Sequence, residues 1–211
     1  MTITARHIVR SIQDVRDVLP GIQAPQTAKV IDHIDPLCQL WIERSPYLVM
    51  STVGADGRLD TSPKGDPPGF VKVLDSKTLL VPDRPGNHRF DSFQNILANG
   101  RIGLMFLVPN RNEIVRVTGT AQIVRDEDLR AQLAVKNRVP DFALLISVEE
   151  ACYHCGKAAI RSRLWSPDKA ASTEGLPTYA EALFAHAALD IPIEDIEARL
   201  DHNDRNRLYD E

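Results

Sequence analysis

The stretch TLLVPDRPGNHRFDSFQNILANGRIGLMFLV (residues 78–108) joins two apolar segments through a polar loop and a helical pattern. The first segment, TLLVP (78–82), and the last, RIGLMFLV (101–108), have the apolar character of buried strands. Between them, apolar residues recur at helical spacing, namely Phe90, Phe93, Ile96 and Leu97, and Asn99-Gly100 is typical of a helix end. The stretch therefore predicts a strand, a helix that starts near Asn87 or His88, and a second strand.

The flanking sequence predicts further antiparallel strands. GADG (54–57) is typical of a hairpin turn between YLVMSTV (47–53) and a return strand, RLDTSPKG (58–65), which we expect to be broken at Pro63. More strands are predicted at 70–75, 113–126 and 142–155, and Gly119 indicates a bulge or a close approach. This order of short strands, with one inserted helix and helices at both ends, favours a small antiparallel barrel.

The composition predicts one soluble globular domain, or one domain with helical arms. The chain has 211 residues, of which 43% are hydrophobic and 26% charged. We expect an N-terminal helical extension over 1–44, the sheet domain over 45–165 and a C-terminal helical extension over 166–211. The net charge of −4 argues against nucleic-acid binding, which needs a basic surface. The longest uncharged apolar run is IGLMFLVP (102–109), and a membrane helix needs roughly 20 such residues, so no membrane span is expected.

The cysteines predict a reducing compartment and no metal site. Three cysteines, and an N-terminal stretch with no apolar signal-peptide core, favour the cytoplasm. CYHC (152–155) has CxxC spacing, but a structural zinc site normally needs four ligands, and no second Cys or His pair is near in the sequence. A redox dithiol lacks the expected βαβ context, so Cys152 and Cys155 are expected to be small buried side chains. The motifs GxSxG, Walker A and HExxH do not occur, which argues against the commonest hydrolases and nucleoside triphosphate-binding proteins.

DRPGNHR (83–89) is either a solvated polar loop or part of an anion site. Pro85-Gly86 suits the centre of a type II turn, with Gly86 at the position of positive φ. The start of the following helix has free N–H donors and a partial positive charge, which can hold a phosphate. The aspartates at 83 and 91 argue against such a site because they bring like charge near the anion. The candidate donors around the loop are Arg84, Asn87, Arg89 and Ser92.

Two more segments carry candidate site residues. In TSPKGD (61–66), Ser62 and Lys64 lie on a strand that would neighbour the loop, although Lys64 alone fits an ordinary edge lysine equally well. In CYHCGKAAIRSRLW (152–165), Lys157 and Arg161 share a helix face at i, i+4, where a bound anion would relieve their mutual repulsion. A solvated basic face explains this pair equally well. Trp165 suits either the edge of a flat aromatic ligand or a core or interface anchor.

Residues 59–126, from LDTSPKG through DRPGNHR and NGRIGLMF to RVTGTAQIVRD, resemble the pyridoxamine 5′-phosphate oxidase-like flavoproteins. The likeness extends over roughly 45–165 and is strongest to a bacterial branch with DRPGN in this loop. It implies an antiparallel split β-barrel, mainly β with flanking helices, that binds FMN at the interface of a homodimer.

The resemblance also implies roles for individual residues. Lys64 matches the basic strand residue at the FMN phosphate, and Arg89 with Asn87 matches the loop that grips phosphate and ribityl groups. The strand end at Val81 and Pro82 matches the backbone facing the flavin ring. A second phosphate-binding arginine is expected near 59 or 60, where this sequence has none. If the loop holds a phosphate, we expect the Asp91 side chain to point away from it around the helix.

Three functions remain open at this stage. The first is an FMN-dependent oxidoreductase that acts on a small-molecule substrate or electron donor. The second is a flavin- or haem-binding carrier or sensor without turnover, because a fold does not decide function. The third is a structural dimer with an empty cleft. The motif that supplies substrate-binding Arg and His in true pyridoxamine phosphate oxidases has no match here, so vitamin B6 oxidation is not expected.

Overall fold

The computed structural model describes residue 5 and residues 7–210. Seven strands form one antiparallel sheet in the order β2-β1-β5-β6-β7-β4-β3. The strands are β1 Tyr47–Val53, β2 Leu59–Gly65, β3 Lys72–Asp75, β4 Thr78–Pro82, β5 Arg101–Leu107, β6 Ile114–Val124 and β7 Ala143–His154. The predicted mainly β fold with flanking helices is therefore confirmed.

Eight α-helices flank this sheet in the described residues, and a short 3₁₀ helix spans Pro167–Lys169. The helices are α1 Ile12–Arg16, α2 Ala24–Ala28, α3 Pro36–Arg44, α4 Asp91–Asn99, α5 Glu127–Ala131, α6 Lys157–Ser162, α7 Tyr179–Ala187 and α8 Ile193–Asn206. The predicted end of the mid-chain helix is confirmed, because Gly100 follows α4 with a φ of 70°.

One main hydrophobic core lies between the sheet and two helices. The alternation of β1 and β5 sends Leu48, Met50 and Phe106 inward, where all three are fully buried. α3 contributes Cys38 and Ile42 to the same core, although it belongs to the predicted N-terminal extension. α4 contributes Ile96 to this core, so burial holds the helix inserted between β4 and β5 against the sheet.

β2 is continuous through its proline, contrary to the sequence-based expectation. Pro63 pairs with Val49 inside an unbroken ladder from Leu59 to Gly65. β2 is an edge strand, so one side of its backbone has no partner strand. A missing N–H is tolerated there, and the predicted break at Pro63 was wrong for that reason.

The sheet has to curl because β2 and β3 are consecutive in the chain but lie at opposite edges. A flat sheet of seven strands would separate its edges by about 29 Å. The chain from Gly65 to Lys72 reaches about 25 Å at most, even when fully extended. Curvature brings the two edges together, and an ion pair of 3.7 Å joins Lys64 on β2 to Asp83 just after β4.

The edges are joined by side chains and not by a strand ladder. Among the strand pairings of the described residues, none connects β2 with β3 or β4, so the hydrogen-bonded sheet is open. Directly after β2, Asp66 forms a second ion pair across the same gap with Arg84, at 2.6 Å. The sequence predicted a barrel, and the structure shows an open antiparallel sheet whose gap is bridged by two ion pairs.

The predicted irregularity at Gly119 is confirmed. The register of β6 against β7 shifts between Thr118 and Gly119, which makes a bulge. A Cβ atom at position 119 would overlap the carbonyl oxygen of Ser147 on β7. Only glycine allows the two backbones to approach this closely.

No helix in the described part of the chain has both the length and the apolar character that crossing a membrane requires.

We expect Gly119→Ala to lower the free energy of unfolding by about 2 kcal/mol, because the added methyl group forces two backbones apart. Urea unfolding followed by tryptophan fluorescence measures this loss. Gly103→Ala is the matched control on β5, since a Cβ atom there meets nothing within 4 Å. Equal losses in the two variants would contradict the close approach.

Candidate functional site

A cleft of about 430 Å³ opens at the gap between the two edges of the sheet. We call it the first cleft. It is built by β2, by the loop between β4 and α4 (residues 83–90, the cleft loop) and by the first turn of α4. Its lining residues are Asp60, Thr61, Ser62, Pro63, Lys64, Asp83, Arg84, Gly86, Asn87, His88, Arg89, Phe90, Asp91, Ser92 and Phe93. Six predicted site residues, Ser62, Lys64, Arg84, Asn87, Arg89 and Ser92, are therefore brought together.

The cleft loop has a different backbone from the one predicted. Positive φ angles occur at His88 (56°) and Phe90 (57°), and Gly86 is not among the residues with positive φ. The predicted type II turn with Gly86 in the left-handed region was therefore wrong. The Asn87 side chain accepts a hydrogen bond from the Arg89 backbone N–H at 3.1 Å, which tightens the loop before the helix.

The helix after the loop begins later than predicted, at Asp91 instead of near residue 87 or 88. The two left-handed residues before it prevent an earlier start, because a helix needs consecutive right-handed residues. Phe90 is the N-cap residue and supplies no side-chain hydrogen bond to the first turn. The first-turn residues 91–93 line the first cleft, and no side chain caps this end of the helix.

Two cations of the first cleft form weak ion pairs. Lys64 lies 3.7 Å from Asp83, and both side chains are 23% exposed. Arg89 donates to Asp91 at 2.7 Å, but its side chain is 71% exposed. Asp91 therefore does not point away around the helix, which corrects the prediction. Its hydrogen bond and charge raise the pKa of Arg89. The exposed Arg89–Asp91 pair contributes about 0–1 kcal/mol, so a stronger anion can replace its carboxylate.

Arg84 is held far more firmly than the other two cations. Its Nε donates to Asp66 at 2.6 Å, and the Asp66 side chain is only 1% exposed. One Nη donates to the carbonyl oxygen of Leu133 at 2.7 Å. Removing one partner of a buried ion pair leaves an uncompensated charge and costs about 3–5 kcal/mol. Arg84 therefore lines the first cleft while its guanidinium is committed to the protein interior.

An acidic residue occupies the strand position where the resemblance implied a second arginine. Asp60 lines the first cleft and accepts a hydrogen bond of 2.5 Å from the hydroxyl of Ser92. Arg58, the nearest arginine on that strand, pairs with Asp56 in the hairpin turn and is not among the lining residues. The Ser92 hydroxyl is thus engaged with a carboxylate, which differs from the free donor expected.

The strand end implied to face a flavin is buried. Val81 and Pro82 pair with Leu144 and Ala143 of β7 on one side. On the other side, the pairing of β3 with β4 reaches only to Leu80, which pairs with Lys72. The side chains of Val81 and Pro82 do not line the first cleft, so any role of this segment would come from its backbone.

The three C-terminal candidates lie away from the first cleft of the same chain. Lys157 and Arg161 are on α6, which follows the end of β7. Trp165 donates its indole N–H to the carbonyl oxygen of Arg111, in the connection between β5 and β6, at 2.7 Å. None of the three is among the cleft-lining residues, so this chain alone does not assemble them with Lys64 and Arg89.

A second cleft, of about 810 Å³, lies behind the cleft loop and was not predicted. It shares four residues with the first cleft, Asp83, Arg84, His88 and Phe90. The remainder of its wall consists of Pro85 from the cleft loop and of residues from distant segments, namely Arg125, residues 138–142, Tyr209 and Asp210. Tyr209 reaches Asp66 across 143 positions in the sequence. No local pattern signals such a contact, because only the folded chain brings the two residues together.

The cysteines are free in the structure. Cys38 is buried, and burial together with Asp35 raises the pKa of its thiol to about 12. Cys152 is half-buried and Cys155 is exposed, so the expectation of two buried side chains was wrong for Cys155. Within residues 7–210, no three His, Cys, Asp or Glu side chains are grouped so that they could hold a metal ion.

Comparison with known proteins identifies the family. A family model described as pyridoxamine 5′-phosphate oxidase matches residues 34–155, which is more than half of the chain. The chain belongs to the pyridoxamine 5′-phosphate oxidase family. The matched region begins just before α3 and ends after β7, so it contains the whole sheet and all residues of the first cleft. No curated protein matches the sequence.

Solved structures similar to this family member come from several bacteria. HupZ from Group A Streptococcus has 24% sequence identity and a TM-score of 0.47, over 56% of this chain and 91% of HupZ. An FMN-binding protein from Syntrophomonas wolfei has 10% identity and a TM-score of 0.45, over 68% of this chain and 97% of that one. The haem storage protein HutZ from Vibrio cholerae has 14% identity and a TM-score of 0.39, over 57% and 93%.

We expect Arg84→Met to lower the free energy of unfolding by about 3 kcal/mol, because it leaves the buried Asp66 carboxylate without its cation. Arg89→Met, at the exposed pair with Asp91, should change it by less than about 1 kcal/mol. Urea unfolding of both variants measures the difference. A loss for Arg84→Met no larger than that for Arg89→Met would show that the Asp66–Arg84 pair is not structural.

Proposed function

We propose that the protein binds FMN in the first cleft and acts as an FMN-dependent oxidoreductase. The observation that carries the proposal is the convergence of three anion-binding features in one cleft of a pyridoxamine 5′-phosphate oxidase family member. These are Lys64 on β2, Arg89 on the cleft loop and the uncapped first turn of α4. Ammonium, guanidinium and backbone N–H donors are the groups that bind a phosphate dianion.

The ion pairs indicate which cations would hold the phosphate. The carboxylate partner of Arg89 is exposed, and the ion pair of Lys64 is long, at 3.7 Å, so a phosphate dianion would outcompete both carboxylates. Arg84 would have to abandon a buried carboxylate and a carbonyl oxygen. We therefore assign the phosphate to Lys64 and Arg89, with Asn87 and Ser62 as further polar contacts, and assign Arg84 to holding the loop.

The acidic residues of the first cleft limit the affinity that this site can reach. Three cations line it, Lys64, Arg84 and Arg89, and so do an equal number of carboxylates, those of Asp60, Asp83 and Asp91. Displacing Asp83 and Asp91 from their partners leaves their charge near the phosphate. Asp60 adds a carboxylate on the strand itself. The residues therefore fit a phosphate, but with a smaller electrostatic gain than a purely basic cleft would give.

The flavin would supply hydride or electron transfer once it is bound. The contribution of this chain is to bind and orient it. Lys64 and Arg89 would fix the phosphate end, and the backbone at Val81 and Pro82 would face the ring, as the family resemblance implies. The second cleft adjoins the first through four shared residues, so a small-molecule substrate or electron donor would reach the cofactor from that side.

A homodimer is part of the proposal because the chain by itself leaves the site incomplete. Lys157, Arg161 and Trp165 do not line the first cleft of their own chain. In this family the flavin sits between two subunits, so a second copy would bring these residues to the cofactor. The alternative function, a flavin or haem carrier without turnover, uses the same cleft and differs in the outcome of the reduction experiment below.

The protein is expected to bind FMN, and Lys64→Ala or Arg89→Ala should each weaken binding by about tenfold or more, because a charge-assisted contact to the phosphate is lost. Fluorescence titration with FMN measures the dissociation constant. Arg58→Ala is the matched control, since Arg58 is 89% exposed in the hairpin turn and should change affinity by less than about twofold.

Treating the FMN-loaded protein with a nicotinamide and measuring its mass distinguishes the candidate functions. Reduction of the bound flavin by a nicotinamide, in a particle with the mass of two chains by light scattering, supports the oxidoreductase. Bound flavin that no nicotinamide reduces favours the carrier. A wild-type protein that binds no FMN contradicts both flavin functions.

Asp60→Asn is expected to strengthen FMN binding by about fivefold, because it removes a negative charge near the phosphate. The amide oxygen can still accept the hydrogen bond from Ser92, so the fold should not change. Asp56→Asn, in the hairpin turn, serves as the control. Unchanged affinity in Asp60→Asn would place the phosphate elsewhere.

A further inference from the structure

Two residues after α8, Tyr209 and Asp210, contact residues of the site region. The Tyr209 hydroxyl donates to Asp66 at 2.6 Å. Asp210 pairs with Arg138 at 2.9 Å, although both of those side chains are largely exposed. We call Tyr209 and Asp210 the C-terminal anchor. It follows α8, and it joins the end of the C-terminal extension to the loop after β2.

Asp66 connects the C-terminal anchor to the cleft loop. One of its carboxylate oxygens accepts from Tyr209, and the other accepts from Arg84 at 2.6 Å. With both oxygens engaged and only 1% of its side chain exposed, Asp66 has one well-defined position. Any displacement of Tyr209 removes a hydrogen bond from a buried charge and weakens the hold on Arg84.

The Tyr209 ring makes a second contact with the same loop. The Arg84 guanidinium lies over the ring, 5.5 Å from its centroid, and the Lys136 ammonium lies 5.7 Å from it. Arg84 is thereby restrained by the carboxylate of Asp66, the carbonyl oxygen of Leu133 and the aromatic ring. Burial and the hydrogen bond to Asp66 raise the pKa of the Tyr209 phenol, with the hydrogen bond as the larger cause, so it stays a donor at neutral pH.

We infer that Tyr209 is a positioning residue for the cofactor site, which holds the cleft loop in its anion-binding arrangement through Asp66 and Arg84. Its effect on FMN rests on the proposed function. Arg84 precedes Asn87 and Arg89 by three and five positions in a loop that has two left-handed residues. Such a loop needs outside restraint to keep one conformation, and the C-terminal anchor supplies part of it.

The C-terminal anchor and the first cleft should be energetically coupled although the anchor does not line that cleft. Tyr209 and Asp210 line the second cleft and not the first. If the C-terminal anchor stabilises the cleft loop, binding of FMN to that loop must stabilise the anchor by the same free energy. In a tail that is not coupled to the cleft loop, amides that exchange by local opening would not respond to FMN.

Hydrogen exchange of the full-length protein, with and without FMN, tests this coupling. In Tyr209→Phe the ring stays and the hydroxyl is lost. We expect the amides of residues 86–89 to exchange about tenfold faster and FMN to bind about threefold to tenfold more weakly. Adding FMN to the wild type should slow exchange at residues 207–210, and this protection should disappear in Tyr209→Phe. Tyr179→Phe, at a 67% exposed tyrosine on α7, is the matched control and should behave as wild type.

The two proposals fail separately in this experiment. Exchange of residues 86–89 that is the same in Tyr209→Phe and wild type overturns the positioning role, whatever FMN does. If residues 86–89 exchange faster in Tyr209→Phe but the wild type binds no FMN, Tyr209 still positions the cleft loop and the proposed function is overturned. Faster loop exchange with unchanged FMN affinity also overturns the positioning role, because the loop would then not limit binding.

Discussion

The ion pair between Asp66 and Arg84 is the interaction on which the site depends. It crosses the gap between the two edges of an open sheet, where the strands in the described part of the chain form no ladder. Because the pair is buried and both carboxylate oxygens are engaged, it fixes the loop after β2 relative to the loop after β4. The first cleft lies at this gap, and its shape follows from how the gap is bridged.

The same pair divides the cations of the first cleft into two kinds. Arg84 is bound inside the protein and holds the backbone, whereas Lys64 and Arg89 have partly exposed partners and remain available to a ligand. This distinction comes from burial and not from residue type. Arg84 and Arg89 are both arginines of the cleft loop, but only Arg84 is paired with a buried carboxylate. The proposed phosphate site would need both kinds, because donors bind a ligand well only when the segment that carries them is held in place.

Features set by neighbouring residues were predicted from the sequence better than features set by contacts in the folded chain. The helix end at Gly100 and the bulge at Gly119 were predicted correctly, because each follows from a local backbone requirement. The start of α4 and the turn at Gly86 were predicted wrongly. Standard turn preferences favour Gly86 for positive φ, but the folded chain places His88 and Phe90 in that conformation.

The sequence by itself determined the strands and the inserted helix, because apolar periodicity and turn chemistry act over a few residues. Its motifs over residues 59–126 also indicated the family and, with it, roles for the candidates Lys64, Asn87 and Arg89. Only the tertiary structure decided that Arg84 faces the interior, that Asp60 lies in the cleft, and that Tyr209 reaches Asp66. These contacts join segments far apart in the chain. Their formation depends on the curvature of the sheet, which the short connection between β2 and β3 imposes because these strands lie at opposite edges of the seven-stranded sheet.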